Sequence, residues 1–366
     1  MRAAVFHGRQ DLRLEDVAEP SPKAGEVKLR VLFNGICGSD LHEYYDGPIT
    51  TLRNIPRHPL TGATNPVILG HELSGEVVEL GPGVEDLRIG DRVAVEPVET
   101  CGACMYCTTG LYNHCPLLAF HGYNRSSGGL AQFSVVKRSM AHKLPESLSG
   151  QQGALIEPMA ISYRTAERCG VEAGQTVVIH GGGPIGVGVF FTLRRWGVRV
   201  IMVDPSPERR AALKKIGVPT LLDPNDGDVV SAIKDLTGGR GADASVDAAG
   251  VPAAFKAALL STAVGGRLIV VAIHTQPLEI EPMDMLMTEV HISGIALSNN
   301  TFPSVIREMA AGTYPMEGWV ETIPFEGLIE NGFERLRRQQ GMKILVDVAG
   351  ENRWLTPAGT DSPRAP

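Results

Sequence analysis

Thr176-Val177-Val178-Ile179-His180 runs without interruption into Gly181-Gly182-Gly183-Pro184-Ile185-Gly186. A short apolar run bounded by glycines reads as a buried strand, and the pattern after Pro184 reads as a helix through Trp196. In a chain with 42 glycines, Gly181-x-Gly183-x-x-Gly186 alone carries little weight. Between a strand and a helix it is the dinucleotide fingerprint. Its glycines permit a tight turn and let a pyrophosphate approach backbone N–H groups at the positive end of the helix. Gly181, Gly183, Pro184, Ile185 and Gly186 are therefore the expected cofactor contacts.

Reading outward, a second strand over 198–204 ends on Asp204. A carboxylate there can accept both ribose hydroxyls and would repel a 2′-phosphate, so NAD is favoured over NADP. Arg209 could instead bind a 2′-phosphate; with Asp204 present it is read as flanking the adenine. Helices expected at 207–216, 228–236 and 252–263 alternate with strands at 220–222, 244–248, 267–273 and 291–296. Six strands alternating with helices make a doubly wound parallel sheet of the Rossmann type, an α/β fold.

Before residue 150 the pattern differs. Short apolar or alternating runs at Val5-Phe6, 12–14, 27–31, 76–80 and 92–95 are punctuated by glycine and proline, as in a barrel-like β domain. Between them, 44–65 carries Pro48, Pro56 and Pro59 and no helical period, so it reads as a long functional loop. Ser149 can cap a helix, and 158–168 reads as another. The expected division is 1–155 for the β-rich domain, 156–297 for the nucleotide-binding domain, and 298–366 for a return to the first domain. Its tail, 349–366, is expected to fray. Met283, Met285 and Met287 alternate and are expected to fill an apolar surface.

Cys37-Gly38-Ser39-Asp40-Leu41-His42 places a thiol, a hydroxyl, a carboxylate and an imidazole in six residues. Alone it could be a nucleophile with its base or part of a metal site. A second stretch, Gly70-His71-Glu72, favours the metal: Cys37, His71 and Glu72 supply the three protein ligands that a catalytic zinc needs. Asp40 can orient the His71 imidazole from behind. Ser39 can take a proton from a zinc-bound hydroxyl and His42 can pass it towards solvent. Glu157-Pro158 lies at the domain junction, where its carboxylate is a candidate fourth ligand, direct or through water; the alternative is a solvent-facing Glu near a helix start.

Cys101, Cys104, Cys107 and Cys115 follow the spacing C-x2-C-x2-C-x7-C. Four thiolates in one lobe, about residues 96–116, fill a tetrahedral shell and leave no open position, so this second zinc is expected to be structural. Cys169 reads as a packed free thiol. His180 is expected only to pack, and His58, His121 and His142 have no visible partner. Phe120, His121 and Tyr123 are candidates for the wall of a substrate cleft.

With 366 residues, 43% hydrophobic and 20% charged, the chain fits a two-domain globular enzyme. A net charge of −7 argues against a nucleic-acid surface. There is no secretory leader pattern and no apolar run long enough to span a bilayer, so the expected location is the cytoplasm, without membrane or nucleic-acid partners.

Together these motifs resemble the zinc-containing medium-chain alcohol dehydrogenase family, over nearly the whole chain through Lys343-Ile344-Leu345-Val346. The resemblance implies a GroES-like catalytic domain beside the Rossmann domain, a homodimer or homotetramer, two zinc ions per chain and NAD. Glu157-Pro158 is similar to the polyol and butanediol dehydrogenase branch, as are 41–44, 46–49 and 58–62. Ile161-Ser162-Tyr163-Arg164 and Phe120-His121-Gly122-Tyr123-Asn124-Arg125 depart from it. The implied reaction interconverts a secondary alcohol, such as the vicinal diol 2,3-butanediol, with its ketone, acetoin. Rival readings are an L-threonine, polyol or general secondary alcohol dehydrogenase and, in another class, a non-catalytic NAD-binding protein.

Overall fold

The structure is a computed structural model that describes residues 1–51 and 56–350. Most of the tail expected to fray, 351–366 of 349–366, and part of the expected loop over 44–65, lie outside the described residues.

Six strands form one parallel sheet in the order Thr220–Leu222, Arg199–Val203, Thr176–His180, Ala242–Asp247, Thr262–Val270, His291–Gly294. The first strand in sequence, Thr176–His180, stands in the middle and is buried along its whole length. Such a strand is covered on both faces, so it reads as a continuous apolar run with no alternation. The strand order reverses beside it, which opens a crevice at the carboxyl ends of Thr176–His180 and Ala242–Asp247. The helix Pro184–Arg195 starts on proline and buries eight residues. Ile156–Cys169 ends on Gly170 at φ 59°, a left-handed position that glycine fills without strain. Ser206 caps the helix after Asp204, its hydroxyl accepting from Arg209 N at 3.3 Å.

The second architecture is β-rich. Its main sheet runs Ala141–Lys143, Arg92–Val95, Glu72–Leu80, Glu26–Gly35, Lys343–Asp347, Val320–Pro324, with Phe133–Lys137 also paired to Glu26–Gly35. Lys343–Asp347 pairs antiparallel with Glu26–Gly35, Leu345 facing Gly35, so the late chain closes on the early chain. A three-stranded sheet, Asp11–Asp16, Arg2–Gly8, Val67–Ile68, lies beside it.

Two elements differ from the sequence expectation. A helix spans Gly38–Asp46, overlapping the expected loop. Asp40, at its third position, accepts from Cys37 N at 3.0 Å. That is the reciprocal bond of a capping box with cysteine in the usual place of serine or threonine, so the usual start signal is missing. The fifth strand begins at Thr262, before the expected 267, because Ala242 pairs with Thr262 while Ala244 pairs with Arg267. The residues between bulge out. Met283, Met285 and Met287 lie on a helix, Pro282–Thr288, that buries none of its residues.

Candidate metal and cofactor sites

Among the described residues, two groups of three or more His, Cys, Asp or Glu side chains could hold a metal ion. In the first, one ligand atom from each of Cys37, His71 and Glu72 lies within 4.8 Å of the others. Three elements build it. Cys37 precedes the helix Gly38–Asp46, Glu72 opens the strand Glu72–Leu80, and His71 sits just before that strand. Between them Gly70 adopts φ 100°, and a Cβ there would meet Leu130 N at 2.6 Å, so only glycine permits the turn that aims His71 inward.

Asp40 is fully buried, and its Oδ1 lies 3.4 Å from His71 Nδ1. Burial alone would raise the Asp40 pKa. The nearby His71 and the donors Cys37 N–H and Tyr123 O–H outweigh it and hold the carboxyl below its ordinary value. His71 Nδ1 makes no hydrogen bond of good geometry although it is buried. A buried imidazole, a thiol and a carboxylate converging in this way fit zinc, whose protein donors are these three groups. Phe120 and Tyr123 flank the imidazole, with ring centroids at 5.1 and 5.2 Å.

Glu157 lies outside the three-ligand set. It is buried near the start of Ile156–Cys169, and its pKa is pushed up to about 7, first by burial and then by the negative charge of Glu72 and Asp40, against the pull of His71 and Lys343. It is not the solvent-facing Glu of the alternative reading. Ser39 and His42 share the helix Gly38–Asp46, three residues apart and so on one face. Ser39 Oγ lies 2.9 Å from the Tyr123 hydroxyl, whose single proton goes to the Asp40 carboxylate. His42 is part-exposed and contacts Asp46 Oδ2 at 3.2 Å.

Two residues were not given these places by sequence. Tyr123 was only a candidate cleft residue; its hydroxyl bridges Ser39 and Asp40 at 2.9 Å each. Nothing in its local sequence marks Lys343. It is 1% exposed, pairs with Glu72 Oε2, and donates to Ile36 O at 3.0 Å. A Cβ on Gly35 would collide with Glu72 Oε2 and Lys343 Cε, so glycine there makes room for the pair. His121 reaches Ser134 Oγ at 2.9 Å and burial pushes its pKa down to about 3.

The second group is Cys101, Cys104, Cys107 and Cys115. Their sulfurs approach to 3.4 Å (Cys104–Cys107), 3.6 Å (Cys101–Cys115) and 3.9 Å (Cys101–Cys107). Four sulfurs about 2.3 Å from zinc would stand roughly 3.8 Å apart, which these spacings match. Backbone N–H groups of Ala103 and Cys104 hold the Cys101 thiol down to about 6, so it is ready to act as thiolate.

The cofactor turn has the shape that its glycines predict. Gly181 has φ 108°, and a Cβ there would strike Ala248 C at 2.7 Å; one on Gly186 would strike Gly181 O at 2.0 Å. Gly183 faces open space, with nothing within 4 Å of a Cβ, which leaves room for a pyrophosphate beside the start of Pro184–Arg195. Asp204 is 1% exposed and already employed: Oδ2 accepts from Gly182 N at 2.7 Å and Oδ1 from Ser206 N at 2.8 Å. Arg209 Nη1 lies 3.7 Å from Asp204 Oδ2, and its Nε is buried without a hydrogen bond.

Comparison with known proteins identifies the family. The family described as "Alcohol dehydrogenase GroES-like domain" matches residues 23–146, and "Zinc-binding dehydrogenase" matches 184–311. The (R,R)-butanediol dehydrogenase of Bacillus subtilis is 38% identical over 350 residues, covering 94% of this chain and 99% of that protein. The sorbitol dehydrogenase of the same organism is 36% identical over 316 residues, 85% of this chain and 86% of its own. The crystal structure of 2R,3R-butanediol dehydrogenase from Bacillus subtilis superposes with a TM-score of 0.89 at 37% identity, over 94% of this chain and 99% of that one.

Proposed function

The chain belongs to the zinc-binding alcohol dehydrogenases, which work with a nicotinamide cofactor, and from that premise we propose that it interconverts a vicinal diol such as 2,3-butanediol with its hydroxyketone, using NAD. The observation that carries this reading is the convergence of Cys37, His71 and Glu72 on one point, with Ser39 two residues beyond Cys37. When bound, the zinc polarises the substrate oxygen as a Lewis acid and the nicotinamide exchanges hydride with the carbinol carbon.

The chain's own residues do the rest. Cys37 and His71 hold the metal, with Glu72 or Glu157 as the further ligand. Asp40 fixes the His71 ring. Ser39 Oγ takes the hydroxyl proton and is kept oriented by Tyr123, and His42 at the exposed end of the same face hands the proton to solvent. Glu157, buried beside the metal ligands, accepts a hydrogen bond from the second hydroxyl of a diol, and this is the reason for preferring a diol to a simple alcohol.

Gly181, Gly183, Pro184, Ile185 and Gly186 cradle the pyrophosphate, Asp204 accepts the adenosine ribose hydroxyls and disfavours NADP, and Arg209 flanks the adenine. The four-cysteine lobe holds a second, structural zinc. A four-thiolate metal site suits a reducing compartment, which supports the cytoplasm. We also place the protein as a homo-oligomer, dimer or tetramer. Met283, Leu286 and Met287 are 57%, 69% and 69% exposed next to the edge strand His291–Gly294, an apolar face suited to a second copy.

A panel of 2,3-butanediol, acetoin, sorbitol, threonine and simple secondary alcohols with NAD or NADH tests the reading. Turnover of the butanediol–acetoin pair above the others is expected; preference for sorbitol or threonine would replace the substrate, and no turnover of any would replace the function.

A further inference from the structure

The segment 295–300 leaves the carboxyl end of the last parallel strand, His291–Gly294, and leads to the helix Phe302–Ala310. In a sheet of this type the cofactor lies outside the carboxyl ends of the strands, so this segment borders the cofactor crevice. Two of its residues, Leu297 at φ 60° and Asn300 at φ 58°, are left-handed without being glycine. Such backbone persists only where the surroundings hold it.

Two sets of bonds hold it. From the nucleotide-binding side, Arg164 Nη1 donates to Ala296 O at 2.7 Å and Leu297 O at 2.9 Å. From the other side the bonds come from the four-cysteine lobe, from residues between Cys107 and Cys115. Asn113 Nδ2 donates to Ala296 O at 2.9 Å. Asn300 N donates to the Tyr112 hydroxyl at 2.8 Å, and Asn300 Nδ2 to Gly110 O at 3.3 Å.

The hub of this contact is Glu96, 7% exposed, which follows the strand Arg92–Val95. Its carboxylate accepts from Tyr112 O–H at 2.6 Å and Ser298 O–H at 3.0 Å, and meets His142 Nε2 at 3.0 Å. One buried carboxylate thus joins the lobe, the β-rich domain and the segment 295–300, the crossover between the domains. A lobe that served only its own stability would have no need of a buried charge shared with the crossover.

We propose that the four-cysteine lobe is the clasp of the domain crossover, and that Tyr112 and Glu96 are positioning residues which set cofactor affinity by holding 295–300 in its bound shape. Metal in the lobe is thereby coupled to the cofactor crevice: losing it frees 110–113, and the crossover relaxes. The inference rests on the reading that the glycine turn binds a nicotinamide cofactor, which the unmodified holoenzyme tests by binding NADH at all.

Tyr112→Phe removes the hydroxyl bonds and keeps the ring. Zinc content should stay at the parent value, while the Kd for NADH, read by fluorescence titration, should rise about fivefold, the equivalent of about 1 kcal/mol. The KM for NAD should rise with it and kcat should change less. Ser298→Ala should move Kd in the same direction, and Tyr106→Phe, on an exposed lobe residue, should not. Combined with Cys104→Ser, Tyr112→Phe should add nothing further to the Kd, because both act through one clasp. A parent-like Kd in Tyr112→Phe, or full additivity with Cys104→Ser, would overturn the proposal. A parent that does not bind NADH would overturn the cofactor reading instead.

Discussion

Asp204→Ser is the sharpest perturbation of cofactor choice. The Asp204 carboxylate is buried at the tip of the second strand and held by Gly182 N and Ser206 N, so it cannot swing away from an incoming ribose. A 2′-phosphate entering there would stand about 4 Å from the carboxylate. Two unit charges at that distance repel by about 4 kcal/mol at an effective dielectric near 20, roughly a thousandfold in binding. Serine removes that repulsion. Its single hydroxyl can replace only one of the two accepted bonds, and leaving the other N–H unpaired costs about 1–3 kcal/mol. The ratio of kcat/KM for NAD to that for NADP should therefore be large in the unmodified enzyme. In the variant it should fall by about two to three orders of magnitude, through both a gain with NADP and a loss with NAD. Steady-state kinetics with each cofactor at saturating alcohol measure it. Comparable kcat/KM for both cofactors in the unmodified protein, or a ratio unmoved by the substitution, would refute the role given to Asp204 and point to Arg209 as a 2′-phosphate ligand.

Two zinc ions per chain are expected by elemental analysis; Cys104→Ser should lose one with a fall in Tm, and Cys37→Ser should lose the other with loss of turnover. If both variants lose the same ion, the two-site assignment fails. His42→Ala should slow alcohol oxidation most below neutral pH, where solvent base is scarce, and added buffer base should restore part of the rate; a uniform loss at all pH values would remove His42 from the proton path. In the zinc-free protein Lys343→Met leaves Glu72 buried without a counter-charge and should cost about 3–5 kcal/mol of stability, most of it recovered by adding Glu72→Gln. Denaturant midpoints that show no such recovery would mean that the pair is not what Lys343 is there for.

What could be read in the sequence was local. Thr176 to Gly186 carries a strand, a turn and a helix start in consecutive residues, and the physical demand for glycine at Gly181 and Gly186 leaves a visible spacing. The same holds for Cys101 to Cys115, and for His71-Glu72 with Cys37, because each motif brings its own ligands. The helix Gly38–Asp46 was hidden because its first turn is closed by cysteine and aspartate, and Pro48 follows soon after. Contacts between distant residues left no spacing to read. Lys343 reaches Glu72 across 271 positions, and Ser298 reaches Glu96 across 202. A lone lysine before an apolar strand resembles any edge residue until the fold brings it inside. Tyr123 could be suspected of lining a cleft, but not of holding the Ser39 hydroxyl, since that depends on how the Gly122 turn packs on Gly70.

The choice of a diol depends on what Glu157 does beside Cys37, His71 and Glu72. The measurement that reaches it most directly is the ratio of kcat/KM for 2,3-butanediol to that for 2-butanol, with NAD, in the unmodified enzyme and in Glu157→Ala. If the buried carboxylate accepts a hydrogen bond from the second hydroxyl, the ratio should stand well above one and should fall by about tenfold or more in the variant, the range for a hydrogen bond to a charged group. A parent that prefers 2-butanol, or a ratio unchanged by the substitution, would contradict the account and make the protein a general secondary alcohol dehydrogenase.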